Sequence, residues 1–337
     1  MRLIESIKCK WQILILVLLI AVCIFLTGCG AEKPKVYRVG IISGAPPFES
    51  IGYGFKMKMT ELGYIEGENI IYDFKKMSID PQGFQRVARK FVEDEVDLIF
   101  AFPTEPAVEA KAATKGTDIP VVFAMAGLEG YDLIENVRQP GKNITGVRFP
   151  IPELSAKQVE LLHELVPKAK RVYIIYDRNY PNTVPALKEM HSIASSLNIT
   201  LVKDPVNNVQ ELQAALQKRA ALDDISVDAI LFMPDILNHS PDGFGAILEF
   251  ASEHRVPLGG GMDFTVDLGA MFSYVPDNVD QGRLAAILVD KVFRGIPAGT
   301  IPVVTPECRL RLNYRVIQEL GLEVSEGLLS RADEIIK

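Results

Sequence analysis

The side chains able to carry chemistry in this sequence do not assemble into a reacting centre. His163, His191 and His254 fall on segments with helical periodicity, and His239 lies in a loop between Asn238 and Ser240, within reach of a cleft. A nucleophile needs a base beside it, and a metal needs ligands at fixed short spacings. The chain has no GxSxG, SxxK, HExxH or GxxxxGK[ST] pattern. Asp263, Asp267, Asp277 and Asp280 are too widely spaced for a calcium loop. Gly259-Gly260-Gly261 lacks the GxGxxG spacing that a dinucleotide phosphate requires, and reads as a change of chain direction. No metal site and no cofactor is expected, and an exported-enzyme reading would need a substrate turned over in the cleft.

Covalent chemistry is expected at one place only. Arg2, Lys8 and Lys10 precede fourteen uncharged apolar residues, Ile13–Leu26. That is shorter than the roughly 20 residues that span a bilayer as a helix, and it suits the hydrophobic region of an export signal. The run ends in Leu26-Thr27-Gly28-Cys29, which resembles the lipobox of bacterial lipoproteins. The resemblance implies cleavage before Cys29, a diacylglycerol on its sulfur and a further acyl chain, such as palmitate, on its freed amine. Each buried CH₂ contributes about 0.8 kcal/mol, so two or three chains anchor firmly at the periplasmic or extracellular face of a membrane.

Residues 1–28 carry three basic groups and one acid, so their removal takes the net charge from −7 to −9. An acidic chain is a poor match for nucleic acid or anionic lipid. Cys9 and Cys23 leave with the signal, and Cys308 is left without a partner, so no disulfide framework is expected.

Past a lipidated tether at 29–35, apolar runs rich in β-formers alternate with amphipathic helical stretches, the pattern of parallel sheets covered on both faces. Strands are expected at Val36–Ile42, Ile70–Phe74, Val96–Phe102, Pro120–Ala124 and Ile144–Val147, with helices between them. A second series follows at Val172–Tyr176, Thr200–Lys203, Ala229–Met233 and Val256–Gly259, then Ala270–Tyr274. Leu154, Val159, Leu162 and Leu165 form a helical stripe.

Several separated motifs then resemble one family. They are Leu62-Gly63-Tyr64-Ile65-Glu66-Gly67-Glu68-Asn69, Pro140-Gly141-Lys142-Asn143-Ile144-Thr145-Gly146-Val147, the proline-rich strand Ile301–Pro306, Asn313, Leu320-Gly321-Leu322 and Leu328–Asp333. Together they are similar to the ABC transporter substrate-binding proteins that include tryptophan- and tyrosine-binding lipoproteins. The resemblance spans about residues 36–337. It implies an α/β fold of the type I periplasmic binding protein kind: two Rossmann-like lobes with parallel sheets joined by a three-crossover hinge. The first lobe is expected at 36–147 plus 268–297, and the second at 148–267 plus 298–337.

In such folds ligands sit beyond the carboxyl ends of the strands. The expected ligand contacts are Ser43, Phe48, Phe102, Thr104 and Met125 from the first lobe, Tyr180, Asn182, Thr183 and Asp235 from the second, and Ser273 and Tyr274 near a crossover. The sequence departs from amino-acid-binding relatives at Tyr180, which stands where they carry an acid for the ligand ammonium, and at Met125-Ala126-Gly127, which replaces Thr-Asp-Pro. Asp235, Glu105 and Asp177 are the acids on the same loops. The expectation is a monomeric, non-enzymatic receptor that delivers a small, partly apolar or aromatic ligand to an ABC permease and its ATPase. A sensor signalling to a membrane receptor is the rival reading.

Overall fold

The computed structural model describes residues 35–78 and 80–337; the expected export signal, Cys29 and tether residues up to 34 lie outside them. The chain first runs β1 (Tyr37–Ser43), α1 (Glu49–Glu61), β2 (Ile70–Lys76), α2 (Pro81–Glu93), β3 (Leu98–Phe102), α3 (Thr104–Ala113), β4 (Val121–Ala126) and β5 (Ile144–Arg148). These strands form one sheet in the order β2-β1-β3-β4-β5, with β1–β3, β3–β4 and β4–β5 parallel. Leu-Ile-Phe-Ala-Phe of β3 and Val-Val-Phe-Ala-Met-Ala of β4 are buried at every residue. Unbroken apolar runs are what a strand with helices on both faces requires. β2 lies at the edge, alternates in burial and ends in two exposed lysines, which blunts that edge against further pairing. Phe55 of α1 stacks on Phe100 of β3 with ring centroids 4.4 Å apart.

The second series is α4 (Ile151–Leu165), β6 (Arg171–Asp177), α5 (Thr183–Ser196), β7 (Thr200–Val206), α6 (Val209–Ala220), β8 (Ala229–Leu231), α7 (Ile236–His239), α8 (Pro241–Glu253) and β9 (Leu258–Gly259). Its parallel sheet has the order β7-β6-β8-β9. The stripe expected on α4 is buried, with Leu161 added to it. A core of Tyr173, Ile230, Phe232, Ile247 and Phe250 fills the space between sheet and helices.

The remainder is α9 (Phe264–Leu268), β10 (Phe272–Pro276), α10 (Asn278–Phe293), β11 (Cys308–Asn313), α11 (Tyr314–Glu319), α12 (Glu326–Arg331) and β12 (Glu334–Ile336). β10 pairs antiparallel with β11, and β11 parallel with β12. The Met271 N–H donates to the Leu258 carbonyl at 2.8 Å and the Gly260 N–H to the Phe272 carbonyl at 3.1 Å, so β10 runs beside β9. Residues 268–276, grouped by the sequence with the first lobe, therefore run with the second. α10 returns to the first lobe, where Gly54 of α1 and Gly282 of α10 let the two backbones touch. Residues 298–304, grouped by the sequence with the second lobe, also run with the first, where the Gly141 N–H donates to the Gly299 carbonyl and the Val304 N–H to the Gly146 carbonyl, both at 3.0 Å. The chain crosses between lobes at Phe149–Pro150, at Asp277 and at Thr305–Glu307. The segment Ile301–Pro306, expected as a strand, makes a single bridge from Val304 to Val147. Pro302 and Pro306 lack the N–H groups that would continue a ladder.

Candidate functional site

Strand order positions the site. In the first sheet the chain winds away in opposite directions from β1 and β3, and in the second from β6 and β8, leaving a crevice at the carboxyl ends of each pair. Both crevices open onto one cavity of about 740 Å³. Small-molecule sites typically span roughly 300–1,000 Å³.

The first lobe lines it with Pro46, Pro47 and Phe48 from the 3-10 turn after β1, Thr104 and Glu105 from the first turn of α3, and Met125 and Gly127 at the end of β4. Met125 lies in a register irregularity of β4 and has φ of +52°, a left-handed backbone that costs energy for a side chain of this size. The second lobe supplies Tyr180, Asn182, Asp235, His239, Phe244, Met262 and Phe264, and the crossover supplies Phe149 and Ile151. Most of the wall is thus apolar or aromatic.

Few polar groups interrupt that wall, and their bonding separates structural from available ones. Asp235 is buried, and both its oxygens are engaged: Oδ1 accepts from the Asn238 N–H at 2.8 Å, Oδ2 from the Asp177 N–H at 3.0 Å, and the Asn238 amide donates to both. It ties the loop after β6 to the loop after β8. Burial is the largest influence on it, and raises its carboxyl to about 6 against the bonds that favour its charge. Thr104 Oγ accepts from the Gly127 N–H at 3.0 Å, which joins the loops after β3 and β4.

Glu105 is the acid placed to meet a ligand. Its Oε1 accepts the Tyr180 hydroxyl at 3.0 Å from the other lobe and the Tyr131 hydroxyl at 3.5 Å from its own. No donor among the described residues is bonded to its Oε2. Burial first, and then the Glu105 charge, push the Tyr180 phenol well above its ordinary range, so it stays a donor. Asn182 is fully buried, and neither its Oδ1 nor its Nδ2 has a partner among the described residues. It faces Gly127 so closely that a Cβ there would lie 2.7 Å from its Nδ2.

Of the expected contacts, Phe48, Thr104, Met125, Tyr180, Asn182 and Asp235 line this one cavity. Ser43 and Phe102 do not. They are the last residues of their strands and point into the sheet face, where Phe102 packs 4.9 Å from Phe100 and 6.4 Å from Phe74. Thr183 donates its hydroxyl to the Asp177 carbonyl at 2.9 Å and shapes the turn that presents Asn182. Ser273 and Tyr274 lie within β10, in register with Arg311 and Leu310, away from the lining. Sequence reasoning passed over Phe149, Ile151, Phe244, Met262 and Phe264. Phe244 and Phe264 sit in first turns of helices that follow short loops, a place where an apolar residue signals equally a helix anchor or a cavity wall.

The sequence model of the family described as ABC transporter substrate binding protein matches residues 38–336. The tyrosine-binding protein of Clostridioides difficile strain R20291 is 27% identical over 298 residues, covering 87% of this chain and 83% of that protein. A Streptococcus pneumonia ABC domain in complex with L-Trp superposes with a TM-score of 0.80 at 24% identity, over 90% of this chain and 100% of that one. A conserved domain protein from Vibrio cholerae O1 biovar eltor strain N16961 gives 0.76 at 26% identity, with 90% and 100% coverage. Parallel sheets, three crossovers and a cavity at two strand-order switch points agree with those likenesses: the chain belongs to the ABC transporter substrate-binding protein family and has the type I periplasmic binding protein fold.

Proposed function

We propose that this protein is the membrane-anchored receptor of an ABC importer, and that it encloses an L-amino acid with an aromatic side chain. One observation carries the ligand reading: Asn182 is wholly buried in the cavity wall with a side-chain amide that bonds to no group among the described residues. An unmet buried amide costs about 1–3 kcal/mol. A zwitterionic head group offers a carboxylate to its N–H and an ammonium to its C=O. The free oxygen of Glu105 supplies the acid that Tyr180 displaced from its expected position. The apolar walls suit an aromatic side chain, and the names of the relatives, one tyrosine-binding and one holding L-Trp, support the same class.

Anchoring rests on the lipobox resemblance at Cys29. Incorporation of labelled palmitate, and its loss with release of protein from the membrane fraction in Cys29→Ala, tests that part. The ligand reading is tested by calorimetry and thermal unfolding with L-tryptophan, L-tyrosine and L-phenylalanine against indole-3-propionate and 3-phenylpropionate. At about 100-fold excess over Kd an amino acid raises stability by about 2.7 kcal/mol. The acids without an ammonium group bind at least tenfold more weakly. Absence of any stabilisation by the amino acids refutes the reading.

A further inference from the structure

Beside the cavity lies a space of about 10 Å³ that shares Phe149, Ile151, Pro234, His239 and Met262 with it. His239 holds its ring there by a 2.9 Å bond between Nδ1 and the Asp235 carbonyl. A carbonyl only accepts, so Nδ1 carries the hydrogen and Nε2 presents a lone pair. That Nε2 is buried and bonds to no group among the described residues. The rings of Phe232 and Phe264 stand 5.8 and 6.3 Å from the imidazole, and Phe244 stacks on Phe232 at 5.2 Å.

Two polar neighbours of His239 are committed. Asp235 has donors on both oxygens, and Ser240 donates its hydroxyl to the Leu237 carbonyl while accepting from the Gly243 N–H. Asn182 and Glu105 serve the head group in the reading given above. His239 Nε2 is then an acceptor set among aromatic rings with no bonded donor among the described residues.

We propose that His239 Nε2 accepts a hydrogen bond from a donor on the ligand's aromatic ring, a phenol O–H or an indole N–H, and thereby selects such rings over plain ones. The inference rests on the aromatic amino-acid reading of the same cavity. Its competitor is one water held in the small space between Nε2 and the equally unpartnered Ser155 Oγ, since about 10 Å³ is close to the least that holds a water molecule. A water held there in every state would satisfy Nε2 and leave nothing for the ring.

Calorimetry on the purified protein with two matched pairs decides between them: L-tyrosine against L-phenylalanine, and L-tryptophan against 1-methyl-L-tryptophan. The wild type should prefer the donor-bearing member of at least one pair by tenfold or more. His239→Phe should abolish that preference while still binding L-phenylalanine, which reports an intact fold. His239→Gln, whose amide oxygen reaches near the position of Nε2, should restore it in part. Binding of both members of each pair within twofold, or a preference that survives in His239→Phe, overturns the proposal and leaves the aromatic reading standing. Failure of the wild type to bind any of the four overturns both.

Discussion

Asn182 and Asp235 are both buried polar residues of the cavity wall, yet their bonding gives them opposite roles. Asp235 has three donors on its carboxylate, whereas the Asn182 side-chain amide has no partner among the described residues. Asn182→Ala therefore removes nothing from the unliganded fold. Thermal unfolding without ligand should be unchanged or slightly raised, while affinity for the aromatic amino acid falls about 10- to 100-fold, the effect of losing a bond to a charged group. A large loss of unliganded stability would mean that the amide has a structural partner. For Asp235 the prediction concerns pH. Its carboxyl lies at about 6 in the fold against 3.8 in the free side chain, so the folded state holds the proton more tightly. The stability this lends is complete below about pH 4 and lost as pH rises through about 6. The stability advantage of wild type over Asp235→Asn, measured by urea unfolding, should shrink over that window by on the order of 2–3 kcal/mol. An advantage that grows with pH would contradict the assignment.

At the scale of elements, the tightest fit is between α1 and α10, which are far apart in sequence. A Cβ added to Gly282 would meet the Ile51 carbonyl and lie 2.7 Å from the Phe55 nitrogen, and backbone cannot yield as a flexible side chain does. Gly282→Ala should cost about 1–3 kcal/mol in equilibrium unfolding by overpacking. Gly245, on α8, has nothing within 4 Å of the same added carbon. Gly245→Ala should instead stabilise by about 0.5–1 kcal/mol, as expected at an open helical position. Equal effects at the two sites would show that helix propensity, not the α1–α10 approach, sets the outcome. The elements themselves were legible because their causes are local. The continuous apolar runs of β3 and β4 and the stripe on α4 are visible in order and spacing. The turn at Gly63–Asn69 was equally so: Asn69 accepts from the Ile65 N–H at 2.7 Å and donates to the Gly63 carbonyl at 2.9 Å. Ile301–Pro306, a strand in the family motif it resembles, makes one bridge only, because its prolines cannot complete a ladder.

For the whole molecule, the approach of one lobe to the other is carried by few residues. Gly127 and Gly130 of the first lobe meet Asn182 and Pro181 of the second, and the Tyr180 hydroxyl reaches Glu105. Gly127 has neither a left-handed φ nor space for a side chain, so enlarging it tests the approach itself. Gly127→Val should hold the lobes apart: with saturating ligand its radius of gyration by X-ray scattering should exceed that of the wild type, and its affinity should fall at least tenfold. Equal compaction of the two proteins would remove Gly127 from the closing surface.

By itself the sequence determined the alternation of strands and helices, the short family motifs and the loops that border the cavity. Each depends on residue types within a few positions of one another, and local propensity and periodicity encode such information directly. Only the tertiary structure decided which residues of those loops line the cavity. Phe102 and Thr104 are two positions apart, yet one is sealed in the sheet and the other lines the cavity. Only folding, too, showed that Glu105 stands opposite Tyr180 across 75 residues of chain and keeps one oxygen without a bonded donor among the described residues. Side-chain direction at a strand end and contacts between lobes depend on how distant segments pack, and no short stretch of sequence contains both partners of such a contact.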